Sequence, residues 1–60
     1  MIVYELAQIE DTLEPYSDDR WVETFLFSSS EKAHAKGQEW QINAPEGFER
    51  EYFVTEKEVL

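Results

Sequence analysis

The chain has 60 residues, of which 42% are hydrophobic and 15% aromatic, and 14 acidic against 5 basic residues give a formal net charge of −9. This length allows one domain, 1–60, which buries only about 60% of its unfolded surface, and the absence of cysteine excludes disulfides and thiolate metal sites. The charge disfavours direct contact with nucleic acid or anionic membranes and favours a basic partner. Without a bilayer-length apolar run or a signal peptide, we expect a cytoplasmic protein.

The first predicted strand covers 1–9, where side chains alternate with the period of two that a half-buried strand requires. A polar, acidic connection follows over 10–20, and a loop of this length in so small a domain is often functional. We predict that Asp18 and Asp19 within it contribute to partner binding. The second predicted strand covers 21–27, which is rich in aromatic and β-branched residues.

A helix is predicted over 29–41, because residues 28–31 have the S-x-x-E spacing of a capping box. Its inward stripe consists of Ala33, Gly37 and Trp40, at i, i+4 and i+7. Glycine in a helix costs about 1 kcal/mol relative to alanine. The sequence therefore predicts either close approach of the helix to the sheet at Gly37 or fraying of the helix near it.

The third predicted strand covers 48–55, after Pro45 and Gly47 break the helix, and a tail over 56–60 packs or frays. The order β-β-α-β predicts an α+β domain in which one helix packs on one face of a three-stranded sheet. We expect the strand order 2-1-3, since a right-handed crossover returns strand three antiparallel to strand one. A direct parallel pair of strands two and three is the alternative.

Alternation also assigns the faces of the sheet, and we expect the face rich in carboxylates to be open because unpaired buried carboxylates are costly. The predicted helix side consists of Ile2, Tyr4, Leu6, Val22, Thr24, Leu26, Phe48, Arg50, Tyr52 and Val54. The predicted open side consists of Val3, Glu5, Ala7, Ile9, Trp21, Glu23, Phe25, Phe27, Glu49, Glu51, Phe53 and Thr55. Arg50 is then the one charge beneath the helix, and we expect its head group to reach water.

Aromatic side chains interleave with acids on the predicted open face, and exposed aromatic patches usually mark an interface. The predicted partner-binding residues are Glu5, Trp21, Glu23, Phe25, Phe27, Glu49, Glu51, Phe53, Asp18 and Asp19. We therefore predict a non-enzymatic protein-binding module whose partner is a basic host protein. In one version of this hypothesis, regularly spaced carboxylates imitate the backbone charge of nucleic acid. The chain would then be a phage-type inhibitor, of the anti-restriction or anti-CRISPR kind, that occupies the nucleic-acid site of a host enzyme.

Two alternatives remain for the aromatic residues of this face. They could assemble the chain into a homodimer or larger homo-oligomer, sheet to sheet, with a structural or accessory role and no external target. They could also pack on the tail or on the loop over 10–20. Light scattering distinguishes self-association from the first hypothesis, since a monomer at high concentration disfavours assembly through these residues.

No catalytic or metal-binding pattern is found in the sequence. His34 has no Cys or second His at a triad or ligand spacing, and helix capping explains the serines at 28–30. Asp11, Asp18 and Asp19 lack the spacing of a calcium-binding EF-hand loop. We therefore expect no enzymatic activity, no cofactor and no metal.

The segments F-S-S-S-E-K-A at 27–33 and P-E-G-F at 45–48 resemble a family of small bacterial and phage β-β-α-β domains. Those domains open with an apolar strand, pass through an acidic loop and close with a strand after a P-x-G-F turn. The helix here is shorter and carries Gly37, which departs from their longer Ala- and Glu-rich helix. Because the family has no established function, the resemblance implies the fold and no site.

Overall fold

A computed structural model describes residues 1–13 and 20–60 of the chain. The elements are β1 (Ile2–Thr12), β2 (Arg20–Phe27), α1 (Ser30–Ile42) and β3 (Phe48–Glu58). The strands form one sheet in the order β2-β1-β3, and both neighbouring pairs are antiparallel. The predicted α+β fold and strand order are confirmed, and the alternative that pairs β2 with β3 is wrong.

The strands β1 and β3 are both longer than predicted, because they pair along their whole lengths. Their register runs from Ile2 opposite Glu58 to Thr12 opposite Phe48. The ladder continues beyond Glu58, where the backbone N–H of Val59 donates to the Met1 carbonyl at 2.7 Å. Residues 56–58 of the predicted tail therefore belong to β3, and the predicted connection over 10–20 loses its first residues to β1.

The helix begins one residue later than the capping-box pattern predicts. Ser29, in an extended conformation, is the N-cap, and its hydroxyl accepts a long hydrogen bond of 3.5 Å from the Lys32 N–H. The cap at Ser28 is therefore wrong by one position. The helix ends at Ile42, and the side-chain Nδ2 of the C-cap residue Asn43 donates to the Glu39 carbonyl at 2.8 Å. Among the described residues, no helix has the length and apolar character needed to cross a membrane.

Gly37 sets the distance between the helix and the sheet. A Cβ atom built on Gly37 would lie 2.5 Å from Tyr52 Cδ2 and 2.9 Å from Leu6 Cδ1. Gly37 is buried, and Ala33 and Leu6 are completely buried. The predicted stripe of Ala33, Gly37 and Trp40 therefore faces the sheet, and close approach, not fraying, is the reason for the glycine.

The turn before β3 depends on Gly47, whose φ of 89° lies in the left-handed region that other residues rarely adopt. The Phe48 N–H donates to the Pro45 carbonyl at 3.2 Å, and the Leu13 N–H donates to the Gly47 carbonyl at 2.9 Å. This turn therefore starts β3 in register with the end of β1.

Gln8 brings a polar amide into the layer between helix and sheet, where it is 3% exposed and its Nε2 has no hydrogen-bond partner among the described residues. An unsatisfied buried donor costs about 1–3 kcal/mol. We expect Gln8→Met, which keeps the side-chain length and removes the amide, to raise the free energy of unfolding in urea by about 1 kcal/mol. Gln38→Met at an exposed helix position is the control. A loss of stability in Gln8→Met alone would mean that the amide is satisfied in solution.

Candidate functional site

The register of the sheet decides which side chains face the helix. Leu6 lies beneath Gly37, and directly opposite residues of antiparallel strands project to the same side. Leu6 is opposite Phe25 of β2 and Val54 of β3, so both of these residues face the helix. The predicted faces of β1 and β3 are confirmed, and the predicted faces of β2 are reversed.

The reversal moves four predicted partner-binding residues from the open side to the helix side. They are Trp21, Glu23, Phe25 and Phe27. The helix covers two of the rings, since the ring centroids of Trp40 and Trp21 are 6.0 Å apart and Lys36 Nζ lies 4.7 Å from the centroid of Phe25. Val22, Thr24 and Leu26, which the sequence placed beneath the helix, face outward instead.

The prediction for β2 failed because it gave one carboxylate more weight than three aromatic rings. β2 is an edge strand, and Glu23 stays exposed there although it belongs to the helix side. The burial cost of a carboxylate applies only where water is excluded. The rings of this strand gain apolar burial against the helix without burying Glu23.

The open face, as the structure defines it, has an apolar centre. This open-face patch consists of Ala7, Ile9, Val22, Leu26 and Phe53. Its members on the outer strands are the most exposed, at 55% for Val22, 65% for Leu26 and 55% for Phe53. One helix covers one side of a sheet, so nothing among residues 1–13 and 20–60 covers this patch.

Two acids that border the patch are paired within the chain. Lys57 Nζ lies 2.9 Å from Glu5 Oε2, and Arg20 Nε lies 2.9 Å from Asp11 Oδ1. The hydrogen bond from Arg20 to Asp11 raises the pKa of Arg20 above its ordinary value, with Coulombic attraction to Asp11 and Glu51 adding to the shift. An arginine is protonated at any physiological pH, so this shift creates no pH response.

The other two bordering acids, Glu49 and Glu51, take part in no ion pair among the described residues. The structure thus places Glu5, Glu49, Glu51 and Phe53 together on the open face, as the sequence predicted. Asp18 and Asp19 lie outside the described residues. The negative charge available to a partner on this face is concentrated on β3.

A second feature, on the helix side, is a cleft of about 290 Å³ between the end of β1 and the last turns of the helix. It is lined by Glu10, Trp21, Trp40 and Arg50. Arg50 Nε lies 2.6 Å from Glu10 Oε2, and Arg50 Nη1 donates to the Trp40 carbonyl at 2.8 Å. The Arg50 guanidinium also lies over the Trp40 ring, 4.6 Å from its centroid. One cation thereby joins the helix to the sheet.

Searches of protein-family models, curated proteins and solved structures found no match to this chain. The resemblance to small bacterial and phage domains therefore stays a prediction. Residues 1–13 and 20–60 contain no group of three or more His, Cys, Asp or Glu placed to hold a metal ion. His34 instead lies edge-on to the Tyr52 ring, with the centroids 6.0 Å apart.

The cleft is the feature that the sequence did not reveal. Arg50 lies beneath the helix as predicted, but Glu10 and the Trp40 carbonyl bind its head group, and its side chain is only 16% exposed. Glu10 was assigned to a loop, although it is opposite Trp21 on one side and Arg50 on the other. The opposite charges of Glu10 and Arg50 are the feature of the sequence that could have predicted the cleft. These two residues become neighbours only if β1 continues past Ile9.

Proposed function

We propose that the chain is a small acidic protein-binding module, acting by contact and not by catalysis, whose open face binds a basic protein. The observation that supports this function is the uncovered open-face patch with its charged border. Apolar patches rimmed by polar residues are typical of protein–protein interfaces on otherwise polar surfaces. A chain this small also gains stability from any partner that buries such a patch.

The charge of the chain supports a basic partner in particular. The net charge is −9, and Glu49 and Glu51 lie along the border of the patch with no ion-pair partner in the part of the chain that the structure describes. Such a field accelerates encounter with a positive surface and orients it. Burial of the patch then contributes binding energy, and the carboxylates of β3 select partners that have a positive surface.

In the more specific version of this proposal, the open face imitates nucleic acid. The strand register reduces the support for this version. On the open side of β3, Glu49 and Glu51 are followed by Phe53, Thr55 and Lys57, so a regular line of negative charge ends after two residues. Competition by DNA or RNA for the captured partner tests this version. A partner that nucleic acid does not displace would leave general protein binding as the function.

A double variant tests the open face directly. We expect Val22→Ser with Phe53→Ser to weaken capture of the basic partner by about tenfold or more, because both substitutions remove apolar area that the interface buries. The measurement is calorimetry with the protein captured from host lysate by the unmodified chain. Ile42→Ser, at a 75% exposed apolar residue near the end of the helix, is the matched control.

Charge reversal on β3 tests the other half of the proposal. Glu49→Lys with Glu51→Lys should weaken the same binding and flatten its dependence on salt. Equal capture by the unmodified chain and by both double variants would exclude the open face as the binding surface.

Self-association is the second candidate function, because one two-fold axis would set part of the open face against compatible residues of a second copy. A two-fold axis along the row Thr24–Ala7–Phe53 sets Phe53 against its own copy. The same rotation sets Val22 against Leu26, and Glu49 against Lys57, of the second copy. Repulsion between two chains of charge −9 opposes this dimer. A monomer in light scattering at millimolar concentration would exclude it.

A further inference from the structure

The helix-side cleft is distinct from the open face and brings together the only two tryptophans of the chain. Their rings are tilted by 40° with centroids 6.0 Å apart, so they are not stacked against one another. Trp40 lies against Arg50, whereas Trp21 is 43% exposed. The cleft therefore offers an indole surface beside a carboxylate, that of Glu10.

The contacts of Arg50 show which kind of group this cleft can bind. Its guanidinium lies on an indole face while it donates to a carboxylate oxygen and to a backbone carbonyl. These are the contacts that proteins use to hold a planar cation. Of the two Glu10 carboxylate oxygens, only Oε2 accepts a hydrogen bond from the described residues. Its Oε1 and the Trp21 ring therefore provide a carboxylate oxygen and an indole surface, which are two of the three kinds of contact that Arg50 makes.

Charge decides between a cationic and an anionic occupant. Glu10 and Arg50 neutralise one another at 2.6 Å, so the cleft itself does not repel a cation. The remaining chain carries a strong negative charge, and Glu23 lies two residues along β2 from Trp21 on the same side of the sheet. The negative field of the chain repels a phosphate or carboxylate and attracts a guanidinium.

We infer that this cleft binds a cationic side chain, with the guanidinium of an arginine in a basic peptide or protein as its best occupant. The guanidinium stacks on Trp21 and donates to Oε1 of Glu10. The volume of about 290 Å³ is close to the lower limit of about 300 Å³ for pockets that hold drug-sized ligands, so it leaves room for one long side chain. The inference does not require the open face to bind anything.

The test is a nuclear magnetic resonance titration of the full chain, read at its two indole N–H signals. The probe is acetyl-Gly-Arg-Gly-amide, and the matched probe is the same peptide with citrulline, which is uncharged and has nearly the same shape. We expect both indole signals to shift along a saturating curve with Kd on the order of 1 mM. We expect the citrulline peptide to bind about fivefold more weakly or worse, because it lacks the charge that the indole and the carboxylate attract.

Two variants assign the response to the cleft. Glu10→Gln should weaken binding of the arginine peptide by about fivefold, whereas Glu58→Gln, which makes the same charge change opposite Ile2 at the far end of the sheet, should not. Trp21→Leu should abolish the shift of the remaining Trp40 signal. If Glu10→Gln fails to fold, Trp21→Leu and the comparison of the two peptides test whether the response comes from the cleft.

Three results would overturn the inference. The first is that neither indole signal moves with the arginine peptide. The second is that the citrulline peptide binds equally well, which would mean that the cleft takes a neutral planar group. The third is that Glu58→Gln weakens binding as much as Glu10→Gln, which would mean that only the overall charge of the chain attracts the peptide. Success here with no loss of capture in the open-face variants would make the cleft, and not the open face, the binding site of the module.

Discussion

Gly37→Ala is expected to lower the free energy of unfolding by about 2 kcal/mol, although alanine is the better helix former. The added Cβ would lie 2.5 and 2.7 Å from atoms of the Tyr52 ring and 2.9 Å from Leu6 Cδ1. Leu6 is completely buried, and separations below 3.0 Å require the helix, the Tyr52 ring or the Leu6 side chain to shift. Overpacking of this kind costs about 3 kcal/mol, and the gain in helix propensity returns only about 1 kcal/mol.

Ala35→Gly is the control for this prediction, because it makes the reverse exchange at an exposed position of the same helix. It should cost about 1 kcal/mol through propensity alone. Both variants should therefore be less stable than the unmodified chain in urea unfolding, although they change the glycine content in opposite directions. A stabilised Gly37→Ala would show that the helix does not lie this close to the sheet.

Arg50→Met is expected to be about as damaging, with a loss of about 2–3 kcal/mol. Removing one partner of a buried ion pair leaves the other charge uncompensated, which costs about 3–5 kcal/mol where water is fully excluded. The side chains of Arg50 and Glu10 are 16% and 22% exposed, so we expect a value below that range. The substitution also removes the donor to the Trp40 carbonyl and the cation above its ring.

The chain offers a matched control in its other arginine. Arg20 pairs with Asp11 at 2.9 Å, but their side chains are 62% and 35% exposed. Arg20→Met should therefore leave urea unfolding unchanged within error, because solvent screens exposed pairs. A double variant, Glu10→Leu with Arg50→Met, should recover part of the loss by removing the stranded carboxylate. Equal losses in Arg20→Met and Arg50→Met would mean that burial does not distinguish the two pairs.

The topology could be predicted because it depends on element order and on the handedness of one crossover. The faces of β1 and β3 could also be predicted from alternation, as Leu6 and Phe53 show. The face of β2 was predicted wrongly, because the single carboxylate of Glu23 was given more weight than three aromatic rings. The predicted strand order already placed β2 at an edge, where Glu23 stays exposed on the helix side, but alternation within one strand does not include the position of that strand in the sheet.

The candidate site was predicted only in part, for a related reason. The periodic pattern of β1 weakens after Ile9, yet the strand continues because β3 supplies hydrogen-bonding partners from the far end of the chain. Glu10 and Arg50 therefore become neighbours through pairing between distant segments, which local patterns cannot show. The open-face acids Glu49 and Glu51, by contrast, follow from alternation within β3 alone.

The central position of β1 also affects how the domain is made. During synthesis β1, β2 and the helix leave the ribosome before β3, so one side of β1 stays without hydrogen-bonding partners in the nascent chain. An unpaired strand edge is a template for pairing with another polypeptide. The free edge of β1 is therefore open to misassembly until Phe48–Glu58 has emerged and paired with it.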